Sequence, residues 1–385
     1  MRFSGRKVLV TGAAGFVGCR LVEKLCLEEG AQVNALVRTW HKATWVSRTA
    51  ATLFGGDVTN LEALRTAAEG CDIIFHCASG GSDRDSYFRT NVDGTRNVME
   101  VAKHSGARVV FVSTSAVHGP VLPKILTRDS PYVSTGKAYG ESKIAAEKIL
   151  RENYSDVQYV IIRPTFVWGP RSHLFTTGPL MVMQDGTFRL VDQGRGRCHA
   201  VYIDHLVEAI FLAGFRDAAI GHAFLVTDDY PQFTWAEFFR PLSMLLQNQK
   251  QLKSVSSRSF AVRLGGWGRV HGEEWLGKLS GSPAALPRRI TRRALFELLK
   301  LVKQMGIPSL WDLQKYSQMG DIDLTETREV LGFKPHISFA AAFAATEKWV
   351  QLHLSDILPI VSAAVPIVSK ETNRHVPARR ADIQV

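Results

Sequence analysis

The sequence lacks the features of a disulfide-stabilised, metal-binding or membrane-spanning protein. Its five cysteines are odd in number and form no Cys-x-x-Cys pair, which argues against a zinc site or a disulfide framework and fits a reducing compartment. The longest apolar run, 357–368, is interrupted by Pro359 and Pro366 and is too short to cross a bilayer. The histidines show no metal-ligand spacing, so we predict no metal. Residues 1–7 run directly into an apolar stretch, and we therefore expect no signal peptide and a cytoplasmic protein.

The composition indicates a large folded core and a locally concentrated positive charge. The chain has 385 residues, 45% of them hydrophobic, which is enough for two lobes. Its net charge is +11, and the segment 258–303 contains ten basic and three acidic residues. Apolar residues recur at helical spacing between basic ones over 286–305, which predicts an amphipathic helix. That helix either covers the pocket or lies on a membrane surface as a peripheral contact. No recognition motif accompanies the charge, so we predict no nucleic-acid partner.

Strand and helix signals alternate along the first 165 residues. This alternation predicts an α/β fold with a Rossmann-type, doubly wound parallel sheet. Glycine, proline and aromatic residues then accumulate over 165–196, which is typical of loops that face a substrate. We therefore predict a smaller, discontinuous C-terminal substrate-binding cap over 166–355. Core elements are expected to return near 199–227, as a helix over 199–213 and a strand over 223–226. The polar and basic residues of 356–385 predict a flexible tail.

A glycine-rich turn, Thr11–Gly18, stands between the first strand and the first helix. In such a turn the first glycine permits a tight bend, the second lets the backbone approach a pyrophosphate, and the third lets the helix pack closely. The start of the helix then offers free N–H groups to the phosphates. We predict that a dinucleotide contacts Gly12, Ala14, Gly15, Phe16, Val17 and Gly18.

The residue that follows the second strand separates NAD from NADP. An acidic residue there accepts from the 2′-hydroxyl of NAD, whereas an arginine accommodates the 2′-phosphate of NADP. Arg38 stands at this position, so NADP(H) is favoured over NAD(H), unless Arg38 is only a solvated loop charge. Asp57 is placed to accept from the adenine amino group, although a purely structural role stays open for it and for Ala78. The remaining predicted cofactor contacts are Val58, Ala78, Ser113, Tyr139, Lys143 and Pro164.

Tyr139 and Lys143 are four residues apart on a predicted helix and therefore share one face. A neighbouring ammonium lowers the pKa of a phenol, so Tyr139 can exchange a proton with a substrate oxygen. Ser115, at the end of a strand, is predicted to donate to the same oxygen. Ser113 is expected to touch backbone or nicotinamide. Asn91 either anchors a water beside Lys143 or caps local structure.

These motifs together resemble those of the extended short-chain dehydrogenases/reductases. The similar segments are Thr11–Gly18, Asp57–Val58, Asn91–Thr95, Ser113–Ser115 and Tyr139–Lys143. The resemblance covers about the first 165 residues and implies a Rossmann core, a bound dinucleotide and Ser115, Tyr139 and Lys143 as catalytic residues. It also implies a possible homodimer formed through the helices over 92–103 and 138–153.

Segments later in the chain indicate which reaction class of this superfamily the chain resembles. The sugar-nucleotide dehydratases of this superfamily carry an Asp-Glu pair where this chain has Ser115 and Ala116, and the epimerases usually carry an asparagine that is missing from 163–170. The segments 163–171 and 331–335 instead resemble the 3β-hydroxysteroid and sterol-4α-carboxylate dehydrogenase branch. Aromatic residues suit an apolar substrate, unless they are core packing; they are Phe166, Trp168, Phe175 and Phe188. His173 and His199 can either face the pocket or serve the structure.

The sequence therefore predicts an NAD(P)-dependent enzyme that interconverts a secondary alcohol and a ketone on a steroid-like or other apolar small molecule. Two alternatives remain at this point. A nucleotide-sugar epimerase would hold NAD tightly and use the same Tyr139. A dinucleotide-sensing binding protein would keep the fold without turnover, although the intact Ser115, Tyr139 and Lys143 argue against it.

Overall fold

The computed structural model describes residues 5–230, 233–246, 252–259, 262–263 and 306–357. Its strands are β1 (Lys7–Thr11), β2 (Gln32–Val37), β3 (Thr52–Gly55), β4 (Ile73–His76), β5 (Arg108–Val112), β6 (Ile125–Leu126), β7 (Tyr159–Pro164), β8 (Phe166–Trp168), β9 (Arg189–Val191), β10 (Ala200–Tyr202), β11 (Ala223–Val226), β12 (Lys253–Val255) and β13 (Asp321–Ile322). Its α-helices are α1 (Phe16–Leu27), α2 (Leu61–Ala68), α3 (Arg84–Phe88), α4 (Gly94–Ser105), α5 (Ala138–Asn153), α6 (Gly178–Gln184), α7 (Ile203–Phe215), α8 (Trp235–Met244), α9 (Leu310–Ser317), α10 (Thr325–Glu329), α11 (Phe339–Leu352) and α12 (Leu354–Ile357).

Seven strands form one parallel sheet in the order β11-β7-β5-β4-β1-β2-β3. Its central strands are short apolar runs buried on both faces, as expected where helices cover both sides. The direction of winding reverses between β1 and β4, so the carboxyl ends of these two strands open a crevice. The predicted doubly wound parallel sheet is confirmed.

Alternate residues of β1 pack into different helical layers. Val8 and Val10 belong to the cluster that contains α1 and α7, whereas Leu9 belongs to the cluster that contains α2, α4 and α5. This alternation is the two-residue period of an extended strand. The sheet is therefore held between two helical layers, and the layer with α5 carries the predicted Tyr139 and Lys143.

Three small strand pairs lie outside the main sheet. β8 pairs with β10, β9 with β12 and β6 with β13, all in parallel. The expectation of one returning helix from residue 199 was wrong in its start, because Ala200–Tyr202 is strand β10 and helix α7 begins at Ile203. The strand over 223–226 is β11, at the edge of the main sheet beside β7.

Several predicted segments lie outside the described residues. These are the basic helix over 286–305, most of the basic segment 258–303 and the tail beyond residue 357. Among the described helices, none combines the length and the apolar character that a bilayer crossing requires.

Candidate active site

The glycine turn lies at the crevice between β1 and β4. Gly12 has φ +65°, and a Cβ there would lie 2.7 Å from the backbone of Ala78, so both its conformation and its surroundings exclude a side chain. A Cβ on Gly18 would overlap the Gly12 carbonyl oxygen. Helix α1 begins directly after Gly15. The close turn, followed by a helix start, fits a dinucleotide pyrophosphate.

The remaining residues of the turn differ in exposure. Gly15 is exposed, Ala14 is half-buried, and the half-buried Phe16 and Val17 line a cavity described below. The backbone of the turn is therefore accessible at the point where the helix begins.

Arg38 and Asp57 form an ion pair at the carboxyl ends of β2 and β3. Their closest atoms are 3.3 Å apart, and 67% of the Arg38 side chain is exposed. Partial burial would raise the pKa of Asp57, but hydrogen bonds from Thr59 and the nearby Arg38 lower it. Val58 is buried in the core beneath α4. The structure thus brings Arg38 and Asp57 together, whereas the Val58 side chain belongs to the core and its carbonyl accepts from Asn97.

Lys143 is fully buried one turn after Tyr139 on α5. Its Nζ donates to the Val112 carbonyl oxygen at 2.8 Å and lies 4.6 Å from the centroid of the Phe111 ring. Burial lowers the pKa of Lys143 to about 8, against the opposing influence of Glu147.

Tyr139 faces the cavity, and 37% of its surface is exposed. Burial of its phenol group raises its pKa, and a hydrogen bond with the Thr114 hydroxyl opposes that rise. The expectation that Lys143 lowers the pKa of Tyr139 was therefore wrong for this structure. The physical reason is that the ammonium is directed at the Val112 carbonyl.

Of the three adjacent hydroxyl residues, Thr114 is the one that lowers the pKa of Tyr139, and both side chains line the cavity. Thr114 precedes the 3₁₀ turn Ser115–His118 and accepts a hydrogen bond from the Ala116 N–H at 3.2 Å. Ser115 lines the same cavity, but its predicted catalytic role stays a prediction. The sequence reasoning missed Thr114 because three consecutive hydroxyl residues give no local signal of which one faces the helix.

Asn91 is fully buried in a π-helical turn, Arg89–Asp93. Its Nδ2 donates to the Ser142 hydroxyl at 2.9 Å, and its Oδ1 accepts from the Gly80 N–H at 3.4 Å. The Ser142 hydroxyl in turn donates to the Tyr139 carbonyl oxygen at 2.9 Å. Asn91 therefore ties the loop after β4 to helix α5, in keeping with the structural alternative.

Ser113 donates to the carboxylate of Glu147 at 2.5 Å. Arg163 completes this group through an ion pair of 2.6 Å, and the Tyr132 hydroxyl donates to the same carboxylate at 2.9 Å. Both charged side chains are buried, and Arg163 holds the pKa of Glu147 below its usual value although burial opposes this. Ser113 thus contacts the Glu147 side chain and also lines the cavity, and its predicted contact with the nicotinamide stays a prediction. The sequence reasoning had not identified Glu147.

The buried imidazole of His76 connects the glycine turn to helix α4. His76 Nδ1 lies 2.8 Å from the Thr11 hydroxyl, and Nε2 lies 3.0 Å from the Thr95 hydroxyl. Because Thr95 donates to the Asn91 carbonyl, it accepts from His76, which assigns the proton to Nε2. Burial lowers the pKa of His76 to about 3, so it stays neutral. The sequence reasoning had not singled out this residue.

One cavity of about 470 Å³ joins these groups to the cap. It extends from Phe16 and Val17 past Tyr139 and Lys143, and Pro164 is part of its wall. Ala78 is buried between two residues that line it. The cap side is predominantly apolar, with Leu174, Phe166, Phe175, Trp311 and Ile322, and it also includes His173 and His199.

The predicted aromatic residues divide between the cavity and the core. Phe166 and Phe175 line the cavity, whereas Trp168 is buried in the core and Phe188 packs against it. His199 Nε2 donates to the Gly320 carbonyl at 2.8 Å. Within the part of the chain that the structure describes, no group of three or more metal-ligating side chains comes together.

Comparisons with known proteins identify the family of this chain. The family described as "NAD dependent epimerase/dehydratase family" matches residues 8–226. The chain is 30% identical over 254 residues to a 4-hydroxy-2-methyl-3-oxo-4-farnesyl-3,4-dihydroquinoline-1-oxide ketoreductase of Stigmatella aurantiaca, covering 63% of this chain and 73% of that one. It is 28% identical over 361 residues to a 3-beta-hydroxysteroid dehydrogenase of Mycolicibacterium neoaurum, covering 87% and 96% respectively.

Solved structures give the same fold. A UDP-glucose 4-epimerase of Thermotoga maritima, solved with UDP-glucose, matches with a TM-score of 0.65 at 18% identity, covering 90% of this chain and 99% of that one. At this identity the likeness concerns the fold alone. The predicted resemblance to extended short-chain dehydrogenases/reductases is confirmed, and the chain belongs to the NAD-dependent epimerase/dehydratase family.

Proposed function

We propose that this chain is an NAD(P)-dependent oxidoreductase that interconverts a secondary alcohol and a ketone on an apolar substrate. One observation carries the proposal: Tyr139 and Thr114 line the same apolar-walled cavity, which also reaches the start of α1. The names of the ketoreductase and steroid dehydrogenase relatives support the same reaction class.

In this proposal the chain's own residues bind the cofactor and move a proton. The glycine turn holds the pyrophosphate, and Lys143 holds the nicotinamide ribose. The bound nicotinamide supplies or accepts the hydride. Tyr139 gives its proton to, or takes it from, the substrate oxygen, and Thr114 holds that oxygen by a hydrogen bond. Ser115, on the same wall, is a second candidate donor.

The experiment that tests this proposal follows nicotinamide absorbance at 340 nm with a panel of apolar cyclic ketones. Net oxidation of the reduced cofactor, matched by formation of the alcohol, is the expected result. A nucleotide-sugar epimerase would instead retain its cofactor without net turnover. A dinucleotide-sensing protein would bind the cofactor and turn over none of the ketones.

We further propose that NADP(H) is preferred over NAD(H). Arg38 is largely exposed at the end of β2, where its guanidinium can turn toward a 2′-phosphate, and it offsets the negative charge of Asp57. In a binding titration, Arg38→Asp should remove a preference of about tenfold or more for NADPH. Arg48→Asp makes the same charge change beside Trp45 and is the matched control. Tight NADH binding that is indifferent to Arg38 would contradict the proposal.

The remaining expectations concern assembly and location. We propose a cytoplasmic homodimer formed through α4 and α5, which the family resemblance supports, with peripheral membrane contact through the segment 286–305. Analytical ultracentrifugation tests the first part: a monomer at micromolar concentration would refute it. Co-sedimentation with anionic lipid vesicles tests the second part.

A further inference from the structure

The cap wall of the cavity carries two polar groups in otherwise aromatic surroundings. Lys315 lies on α9 and Gln318 follows the end of that helix, so the two are three residues apart on one face. Both line the cavity that contains Tyr139. Polar groups in an apolar pocket usually determine which ligand fits and how it is oriented.

Lys315 is a buried ammonium whose charge is already balanced. Only 6% of its surface is exposed, and its Nζ donates to Asp312 at 3.1 Å. The same Nζ lies 4.4 Å from the centroid of the Trp311 ring and 4.1 Å from that of Tyr316. An ammonium has three N–H donors, and Asp312 and the Tyr316 hydroxyl engage at most two of them. Lys315 can therefore donate to a ligand without bringing an unbalanced charge into the cavity.

Gln318 carries a buried acceptor that has no partner. Its surface is 8% exposed, and its Oε1 accepts no hydrogen bond within the described part of the chain. Its backbone, by contrast, is engaged, because its carbonyl accepts from the Arg197 N–H at 2.8 Å. A buried amide oxygen without a donor is unfavourable unless a ligand supplies one. This oxygen is enclosed, but the Gln318 side chain lines the cavity, and rotation of its terminal amide would turn the oxygen toward a hydrogen-bond donor on the substrate.

We infer that Lys315 and Gln318 form a subsite for a second hydroxyl group of the substrate, at a distance from the carbon that reacts at Tyr139. A hydroxyl oxygen accepts from the ammonium while its proton is donated to Gln318 Oε1, so one group satisfies both side chains. A carboxylate only accepts, and would set its negative oxygens against the amide oxygen. The substrate class is therefore an apolar hydroxyketone, or the corresponding diol. This inference rests on the proposed oxidoreductase function and adds the substrate's second functional group.

The test compares two ketones that differ in one distal hydroxyl: 5α-androstan-3-one and 17β-hydroxy-5α-androstan-3-one. Binding is measured by quenching of tryptophan fluorescence, since Trp311 lines the cavity, and turnover is measured separately with NADPH. Wild type should bind the hydroxylated ketone about tenfold more tightly. Gln318→Leu should remove that preference, whereas Gln318→Glu, which keeps the acceptor, should retain it. Lys315→Met should also reduce the preference.

The outcomes separate this inference from the proposed function. A binding preference that depends on Gln318, with no turnover of either ketone, would support the subsite and count against the oxidoreductase. Equal affinity of wild type for the two ketones, or binding of neither, would overturn the subsite. Gln318→Leu removes a side-chain oxygen without an internal partner, so it should fold as wild type does, which circular dichroism can check.

Discussion

The two walls of the cavity satisfy their polar groups in different ways. On the Rossmann side, Lys143, Asn91, Glu147 and His76 are all buried, and each has hydrogen-bond partners on other elements. On the cap side the wall is mainly aromatic, and the buried Gln318 Oε1 has no partner in the described residues. The buried polar side chains of the Rossmann wall thus have protein partners, whereas the cap wall carries a buried acceptor that lacks one in the described residues.

This difference separates the placement of the chemistry from the selection of the substrate. A network in which every buried polar atom is paired holds Tyr139 and Thr114 in one geometry. An aromatic wall with few polar groups discriminates among ligands mainly by shape and by those few groups. Substitutions on the Rossmann wall should therefore change rate or stability, and substitutions on the cap wall should change which substrate is used.

The largest effect is expected at Tyr139. Tyr139→Phe removes the proton donor and should reduce kcat by about 10²- to 10⁴-fold while cofactor affinity stays near the wild-type value. Steady-state kinetics and a cofactor titration measure the two quantities. Tyr87→Phe is the matched control, because its ring lies 6.0 Å from that of Tyr139. Full turnover in Tyr139→Phe would contradict the assignment.

The buried ion pair should dominate the stability of this wall. Glu147→Gln leaves the Arg163 charge buried without its partner and should lower the free energy of unfolding by about 3–5 kcal/mol. Urea denaturation measures the loss. Asp156→Asn is the matched control, because its ion pair with Lys103 is half exposed and should contribute little. Equal losses in the two variants would show that the network does not hold the wall.

Thr114 and Ser115 offer a direct comparison of two hydroxyls on one wall. Thr114→Val keeps the shape but removes the hydroxyl that contacts Tyr139, and it should lower kcat by about 10²-fold. Ser115→Ala should lower kcat less, and Thr114→Ser should restore most of the rate. If Ser115→Ala is the more damaging change, the original sequence prediction is right and the contact of Thr114 has no catalytic role.

The smallest effect concerns the pH dependence of stability. Burial lowers the pKa of Lys143 to about 8 in the folded chain, from 10.5 ordinarily. Between these values the unfolded chain binds more protons, so Lys143 makes stability rise as pH increases from 8 to 10.5. Wild type should gain on the order of 2 kcal/mol relative to Lys143→Met between pH 8 and pH 10 in urea denaturation. If the free energy of unfolding changes with pH in the same way in both proteins, the lowered pKa of Lys143 is refuted.

Local patterns predicted some of these features well. The predicted helix over 138–153 is α5, and the glycine turn lies between β1 and α1 as expected. Both rest on short-range spacing, which the sequence displays directly. By contrast, the predicted start of a helix at residue 199 was wrong. Strand β10 occupies 200–202, and it forms through pairing with β8 some thirty residues earlier, which no local pattern shows.

The site residues also divide into those that local spacing predicts and those that depend on distant segments. Tyr139 and Lys143 were identified because residues four apart on a helix lie on the same face. Thr114 was missed because the choice among three adjacent hydroxyls depends on the position of α5. Glu147 and Gln318 were missed because their significance depends on partners, or on a missing partner, that are distant in sequence.

The sequence by itself determined the alternating elements, the phosphate-binding turn and the spacing of Tyr139 and Lys143, because each depends on neighbours within a few residues. Only the tertiary structure decided which hydroxyl meets Tyr139, where the Lys143 ammonium points and which polar atom of the cap lacks a partner. Those outcomes depend on burial and on contacts between distant segments. Hydrogen-bond pairing in a low-dielectric interior is a property of the packed chain rather than of any short stretch of it.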